Sequence, residues 1–262
     1  MLRCPVCNQQ LTTYDRASGC ANGHRFDLAR EGYLNLLRTS RSGDTIGDDK
    51  QSARCRRDFL NKGYYAPLKD ALVELFSCKE GAVLDICCGE GYYTSALAAN
   101  PNLRVYGFDI SKEMVRLAAK RGGATCFVAN MASIPVADNS FDYCVHLFAP
   151  FNEKEFARVL KPGGTLYTVI PGASHLFGLK QAIYDTPYRN DEKLPETGIL
   201  RYTETIRVSA SIKLTCPEDI EAVFRMTPYY FHTSQADKEK LKVLKSLETD
   251  IDFLMVAYEK TE

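Results

Sequence analysis

Long apolar runs are missing from this chain of 262 residues, and so is any excess of charge. No stretch approaches the roughly 18 residues needed to span a bilayer, so no membrane partner is expected. The opening residues Met1-Leu2-Arg3-Cys4-Pro5 do not read as a signal peptide. Ten cysteines are scattered, with Cys87, Cys126 and Cys144 inside predicted strands. That spread suits reduced thiols better than a disulfide framework, and a cytoplasmic protein is expected. Lysine plus arginine balance aspartate plus glutamate at 33 each, which by itself argues against a nucleic-acid partner. The distribution is less even: residues 1–62 carry 11 basic against 7 acidic side chains, and the remainder is correspondingly acidic. Internal repeats and low-complexity segments are absent. Hydrophobic content of 45% and charged content of 25% are ordinary for a globular α/β chain with a large core.

Two common nucleotide signatures are absent as well. No Gly-Lys-Ser/Thr occurs, which excludes a P-loop, and Thr94 stands where a nicotinamide fingerprint requires Gly or Ala. What is present is the run Val83-Leu84-Asp85-Ile86-Cys87-Cys88-Gly89-Glu90-Gly91, with Asp109 ending a second apolar run 18 residues after Gly91. An apolar strand ends in an acid, a glycine turn lets backbone approach a ligand, and the next strand delivers a second acid able to take both hydroxyls of a ribose. This layout resembles motifs I and II of the class I S-adenosylmethionine (SAM) methyltransferases, with Cys87 in place of the usual first glycine.

Near the N-terminus, Cys4-Pro5-Val6-Cys7 is followed by Cys20 and His24 in the pattern C-x2-C-x12-C-x3-H. A knuckle of two thiolates and a second pair a dozen residues on complete a tetrahedral site for Zn²⁺. All four positions are taken by protein, so the expected metal is structural. Residues 1–37 have few apolar anchors, and metal binding makes up that deficit. Gly32–Leu37 reads as the last strand of this small zinc-binding domain, packing toward the main one. Residues 38–50 read as a flexible polar linker, and 51–262 as the catalytic domain.

The catalytic part alternates. Helices are predicted over 50–61 and from Tyr65-Ala66-Pro67 to about 77. Strands are predicted at 82–86, 103–108, 125–129, 141–148 and 165–170, with helices at 92–99, 112–121 (capped by Ser111) and 153–160 between them. Lys161-Pro162-Gly163-Gly164 reads as a helix stop and tight turn. The C-terminal third mixes strands 201–214 and 252–259 with helices near 217–225 and 235–244. The fold expected is a Rossmann-like, doubly wound parallel sheet ending in an antiparallel pair, with ligands at the carboxyl ends of its strands.

Ribbon, linker and SAM domain together resemble the RlmA (RrmA) family of 23S ribosomal RNA guanine-N1 methyltransferases. The matching residues are Cys4-Pro5-x-Cys7, Cys20-x3-His24, Glu31-Gly32-Tyr33-Leu34-Asn35-Leu36-Leu37, Arg57-x-Phe59-Leu60 and Gly63-Tyr64-Tyr65-x-Pro67-Leu68. They continue through Gly89-Glu90-Gly91-Tyr92-Tyr93-Thr94, Ala149-Pro150, Pro171-Gly172-x2-His175-Leu176 and Met226-Thr227-Pro228. The resemblance implies methyl transfer from SAM to guanine N1 in a 23S rRNA hairpin near the peptide exit tunnel, and is compatible with a homodimer whose ribbons flank one RNA cleft.

Residue roles follow from position. Asp85 orients the glycine loop or the methionine end of SAM. The backbone at Cys87, Gly89, Glu90 and Gly91 cradles it, Asp109 accepts the ribose hydroxyls, and Asn130-Met131 meet the adenine. The resemblance also places Tyr65 and His175 beside SAM. His146-Leu147-Phe148-Ala149-Pro150 follows the fourth strand in place of the Asn/Asp-Pro-Pro-aromatic motif of exocyclic-amine methylases, which favours a ring nitrogen. His146 and Glu153 are candidate proton acceptors, and Phe148 or Phe151 a stacking platform for an extruded base. Arg25, Arg38, Arg41, Arg54, Arg56 and Arg57 are candidate phosphate contacts, the alternative being a solvated helical face. Two other functions stay open: a small-molecule SAM methyltransferase with the zinc module as a stability device, and a non-catalytic RNA-binding module retaining SAM.

Overall fold

A computed structural model describes residues 1–38 and 50–261. Residues 39–49, which hold most of the expected linker and Arg41, lie outside the described residues, as does 262. The chain opens with an antiparallel ribbon of β1 (Thr12–Tyr14), β2 (Ala17–Gly19) and β3 (Arg25–Asp27), followed by β4 (Leu34–Asn35). Next come α1 (Lys50–Asn61), α2 (Ala66–Leu75), β5 (Gly81–Ile86), α3 (Tyr92–Leu97), β6 (Leu103–Asp109), α4 (Lys112–Arg121) and β7 (Thr125–Val128). Then follow β8 (Phe141–Leu147), α5 (Glu153–Val159), β9 (Leu160–Pro171), α6 (Phe177–Ile183), β10 (Leu200–Leu214), α7 (Pro217–Arg225), α8 (Gln235–Lys242) and β11 (Leu247–Lys260).

Eight strands form one sheet in the order β10-β11-β9-β8-β5-β6-β7-β4. The six from β4 to β9 run parallel, and β11 and β10 add antiparallel at one edge. β5 lies at the centre and is buried along almost its whole length, as its unbroken apolar run requires of a strand covered on both faces. Alternation along it sends Val83 into one core, with Phe59, Leu68, Leu72, Phe76 and Phe253, and Leu84 and Ile86 into the other, with Phe108, Phe141 and Phe156. From β5 the chain winds outward through β6 and β7, then returns to β8 on the other side. That reversal opens a crevice at the carboxyl ends of β5, β6 and β8.

Local signals explain the helices. Ser111 Oγ accepts the Met114 N–H at the start of α4, with Glu113 in the first turn and Lys120 and Arg121 in the last. Pro67 occupies the first turn of α2. The sequence expectation differs from the structure in two places. Lys161–Gly164 does not separate α5 from a strand starting at Thr165: Leu160 already pairs with Phe141 and Thr165 with Tyr143, so these four residues bulge from within β9. Backbone pairing on both sides outweighs the turn signal. α6 carried no sequence expectation.

The N-terminal segment is built into the larger core. β4 pairs in parallel with β7, Leu34 facing Phe127 and Asn35 facing Val128, while Leu2 bridges to Val136. Leu2, Leu11, Leu34 and Leu36 are buried with Phe108, Phe127 and Ile134. Burial against the catalytic sheet thus supplements the metal in holding this segment, a contribution the segment's own composition does not show.

Gly91 is the tightest point beside the crevice. Its φ is +82°, and a Cβ there would lie 2.8 Å from Cα and Cβ of Ala118 on α4. Gly91→Ala is therefore expected to destabilise the fold by about 2 kcal/mol or more, through backbone strain and separation of α3 from α4. A chemical-denaturation midpoint equal to that of the parent would refute this.

Candidate active site and metal centre

Cys4 and Cys7 lie on the first knuckle, and Cys20 and His24 flank the turn between β2 and β3. Their four ligand atoms all fall within 4.8 Å of one another. Cys7 Sγ is 3.6 Å from Cys20 Sγ, and His24 Nδ1 is 3.6 Å from Cys4 Sγ and 3.4 Å from Cys20 Sγ. Tetrahedral zinc with ordinary bond lengths sets sulfur–sulfur separations of about 3.8 Å and sulfur–nitrogen separations of about 3.6 Å. The donor set therefore fits zinc in chemistry and in spacing.

At the centre of the sheet, β5 ends in Asp85, which is buried and accepts a 2.5 Å hydrogen bond from the Thr94 hydroxyl on α3. Asp85 thus ties the strand to the helix across the glycine turn. Burial pushes its carboxyl up to about 7, the Thr94 bond lowers it, and nearby Asp109 raises it further. Asp109, at the end of β6, accepts the Gly89 N–H at 3.0 Å and the Ser111 N–H at 2.8 Å. Cys87 stands at φ +58°, the left-handed region that explains why glycine is usual there. Burial and the two acids push its thiol up to about 12, so it stays protonated, and its Sγ lies 3.9 Å from Met131 Sδ. Glu90 is buried against Arg121 at 2.6 Å, and its Oε1 finds no hydrogen-bond partner among the described residues. A Cβ on Gly89 would meet nothing within 4 Å, so the turn presents bare backbone to open space. An adenosine-type ligand finds there what it requires: close backbone approach, an acid at the next strand tip and an open acceptor. Asn130, by contrast, is exposed and turns its side-chain oxygen onto the Ala132 N–H.

A second opening lies beyond the ends of β8 and β9, a cavity of about 340 Å³. Tyr65, Phe148, Phe151 and His175 line it together with Arg56 and Met226. Phe148 is 43% exposed and held at φ +56°, where a bulky side chain is strained. His146 is buried but lines the cavity, its Nε2–H donated to the Pro150 carbonyl at 3.1 Å and its Nδ1 2.8 Å from the Thr168 hydroxyl. Burial holds it down at about 4. Both its nitrogens are occupied, so in this arrangement it props the Phe148–Pro150 corner and takes no proton. His175 is similar: Nδ1 accepts the Asp252 N–H, Nε2 meets the Tyr65 hydroxyl at 3.3 Å, and burial lowers it to about 3.

Glu153 is directed elsewhere. Its Oε1 accepts the backbone N–H groups of Gly198, Ile199 and Leu200 at 2.6–2.9 Å, bonds that hold the carboxyl below its usual range although partial burial opposes them. The candidate proton acceptor thereby becomes a clasp on the start of β10. Among the candidate phosphate contacts, Arg25 pairs with Asp27, Arg57 with Asp58, and Arg38 reaches the Pro5 carbonyl. Arg54 is exposed, whereas Arg56 lines the cavity. Thr168 and Asn190 had no place in the sequence reading, and Thr94 entered it only as a motif position, without a structural role. The role of Thr94 could have been found from its position in the first turn of the glycine-turn helix, three residues after Gly91, while Asn190 lies in an irregular stretch without periodicity.

Comparison with known proteins agrees with both halves of this geometry. Residues 2–41 match the model described as RlmA, N-terminal, and residues 83–164 match a methyltransferase domain. YxjB of Bacillus subtilis, which carries a provisional 23S rRNA (guanine-N1)-methyltransferase name, is 32% identical over 96% of this chain and 94% of its own. The 23S rRNA (guanine(748)-N1)-methyltransferase of Streptomyces fradiae is 37% identical over 70% of this chain and 67% of its own. The fold also matches the solved YcgJ protein of Bacillus subtilis, with a TM-score of 0.51 and 17% identity over 76% of this chain and all of that one. SAM is the methyl donor of such a domain, and the glycine turn and Asp109 are groups that could hold it. No helix among the described residues is long and apolar enough to cross a membrane.

Purified protein is expected to contain one zinc per chain, and Cys4→Ser to lose it with a melting temperature several degrees lower. Elemental analysis without stoichiometric zinc would overturn the metal assignment. Asp85 carries a pH signature of its own. Its folded value, about 7, exceeds the ordinary 3.8, so the native state holds a proton that the unfolded chain releases. Stability from neutral Asp85 is present below pH 4 and is lost as pH rises through 7. Asp85→Asn should therefore gain on the order of 2–4 kcal/mol relative to the parent between pH 4 and pH 8. Parallel stability–pH curves for the two proteins would contradict it.

Proposed function

Because the chain belongs to the 23S rRNA (guanine-N1)-methyltransferase family, we propose that it transfers a methyl group from SAM to N1 of a guanine in a 23S rRNA hairpin near the peptide exit tunnel. The observation that carries the proposal is the cavity beside the donor crevice. It opens at the ends of β8 and β9, next to the glycine turn of β5, and is large enough for one extruded base. Its Phe148 and Phe151 rings offer stacking faces, and the strained backbone of Phe148 is what turns that ring outward. Ring-nitrogen chemistry is favoured because a hydrophobic corner, His146–Pro150, replaces the amide-bearing motif suited to an exocyclic amine.

The ribbon supports an RNA substrate over a small molecule. It is welded to β7 beside Asn130, and a groove runs between Cys4–Asn8, Leu36–Arg38 and residues 130–138. Arg25, Arg38 and Arg54 are proposed to hold phosphates along this side. A homodimer presenting two ribbons to one hairpin, and a cytoplasmic location beside ribosome assembly, belong to the same reading.

The test is to incubate the protein with SAM and 23S rRNA fragments, with and without the hairpin, and map the product by mass spectrometry. N1-methylguanine confined to hairpin-bearing RNA is expected; product on a small metabolite alone would refute the proposal. Phe148→Ala should lower methylation by 10-fold or more, given about 1–3 kcal/mol for a stacked base. Unchanged methylation would remove Phe148 from the base site.

A further inference from the structure

Met131 brings the segment between β7 and β8 against the glycine turn, its Sδ 3.9 Å from Cys87 Sγ. The Met131 carbonyl accepts the Asn152 side-chain amide at 3.4 Å, and the Ala129 N–H is donated to the Asp109 carbonyl at the tip of β6. Two supports hold the rest of this segment. From α5, Glu155 accepts the Ile134 N–H at 2.8 Å, and Arg158 donates to the Ile134 and Val136 carbonyls. The other support is the start of the chain. The Arg3 N–H is donated to the Pro135 carbonyl and the Ala137 N–H to the Met1 carbonyl, both at 2.8 Å, with Leu2 facing Val136. Leu2 and Cys4 are buried in one cluster with Ile134 and Val136. Residues 2–4 are held in turn by the metal knuckle: the Leu11 N–H is donated to Leu2, the Cys4 N–H to Gln9 and the Asn8 N–H to Cys4. Zinc on Cys4, Cys7, Cys20 and His24 would lock this ladder one residue from Arg3. On another side of the same N-terminal segment, Tyr33 is buried in a cluster with Cys88 of the glycine turn and with Val115 and Ala118 of α4.

The metal knuckle, the strand-like stretch Leu2–Arg3, the segment 134–137 and the glycine turn thus form one continuous chain of backbone bonds and buried contacts. We propose that zinc in the ribbon and SAM in the crevice are coupled through this chain. Leu2 and Arg3 are positioning residues: they set the wall at 130–137 against the glycine turn, and each ligand tightens the binding of the other. Linkage requires the effect to be reciprocal and equal in both directions. Zinc then serves the donor site as well as the ribbon, and a chain without it would hold its methyl donor poorly. Only the assignment of the crevice to SAM is taken from the functional reading; RNA plays no part.

Calorimetric titration of the intact chain with S-adenosylhomocysteine, the stable demethylated product of SAM, reads the coupling. Zinc-loaded protein should bind it about 5- to 150-fold more tightly than protein stripped by a chelator, and re-added zinc should restore the difference. In the reverse direction, saturating S-adenosylhomocysteine should raise the zinc affinity, measured by competition with a chromogenic chelator, by the same factor. Leu2→Ala loosens the contact with Val136 without touching a metal ligand. It should keep one zinc per chain by elemental analysis and bind S-adenosylhomocysteine about fivefold or more weakly. Should Leu2→Ala lose the metal, Val136→Ala makes the same change from the other side. Should stripping unfold the whole chain by circular dichroism, the competition measurement and the zinc-loaded variants carry the test. Equal affinities in folded loaded and stripped protein would overturn the proposal, as would zinc affinity indifferent to S-adenosylhomocysteine or zinc-retaining variants with the parent's affinity. Absence of binding by the zinc-loaded parent is a different failure, that of the assignment of the crevice to SAM.

Discussion

Between β5 and α3 the backbone turns left-handed at Cys87, Gly89 and Gly91, and the donor side of the molecule is arranged around that turn. Two carboxylates keep it in place from opposite sides. Asp85 reaches forward to Thr94 on α3, while Asp109 reaches back to the Gly89 N–H and sideways to the Ser111 N–H that opens α4. The glycine turn, the end of β6 and the start of α4 therefore move as one unit. Gly91 sets how near α3 may approach α4, and Cys87 shows that a small side chain is accommodated at a strain on the order of 1–3 kcal/mol. Burial, and to a smaller degree the neighbouring Asp109, raise the Asp85 carboxyl, so the deeper of the two acids holds its proton more readily than an ordinary aspartate.

The ribbon enlarges this unit. Zinc alone would organise Cys4, Cys7, Cys20 and His24, but the same segment sends Leu2, Leu34 and Leu36 into the core beneath β7. β4 closes the parallel edge that β7 would otherwise expose, a strand edge being open to unwanted pairing. Metal binding and sheet closure thus fix the ribbon's orientation relative to the carboxyl ends of the strands, where substrate must arrive. A recognition module on a free tether would supply local concentration without orientation.

Much of the sheet was readable from the chain because its signals are local. The apolar run ending at Asp85, the cap at Ser111 and the two-plus-two metal spacing each follow from neighbours a few residues apart. What escaped was set by distant partners. The Lys161–Gly164 stretch reads as a stop, yet pairing of Leu160 with Phe141 draws it into β9. Glu153 and His146 look like titrating groups by type, but backbone donors from 198–200 and the Thr168–Pro150 pair claim them. Arg56 shares a helix with Arg54 and Arg57, and only the packing of α1 puts it, and not them, on the cavity lining.

The enclosed, apolar character of the second opening also suits the energetics of the proposed reaction. A sulfonium and a guanine anion each lose their charge in the transfer, so the transition state is less polar than the separated reactants. Water would oppose that loss, because it solvates both ions. An enclosed site lined by Phe148, Phe151, Val169 and Ile170 withdraws the opposition, provided fixed groups can first bring the ions in.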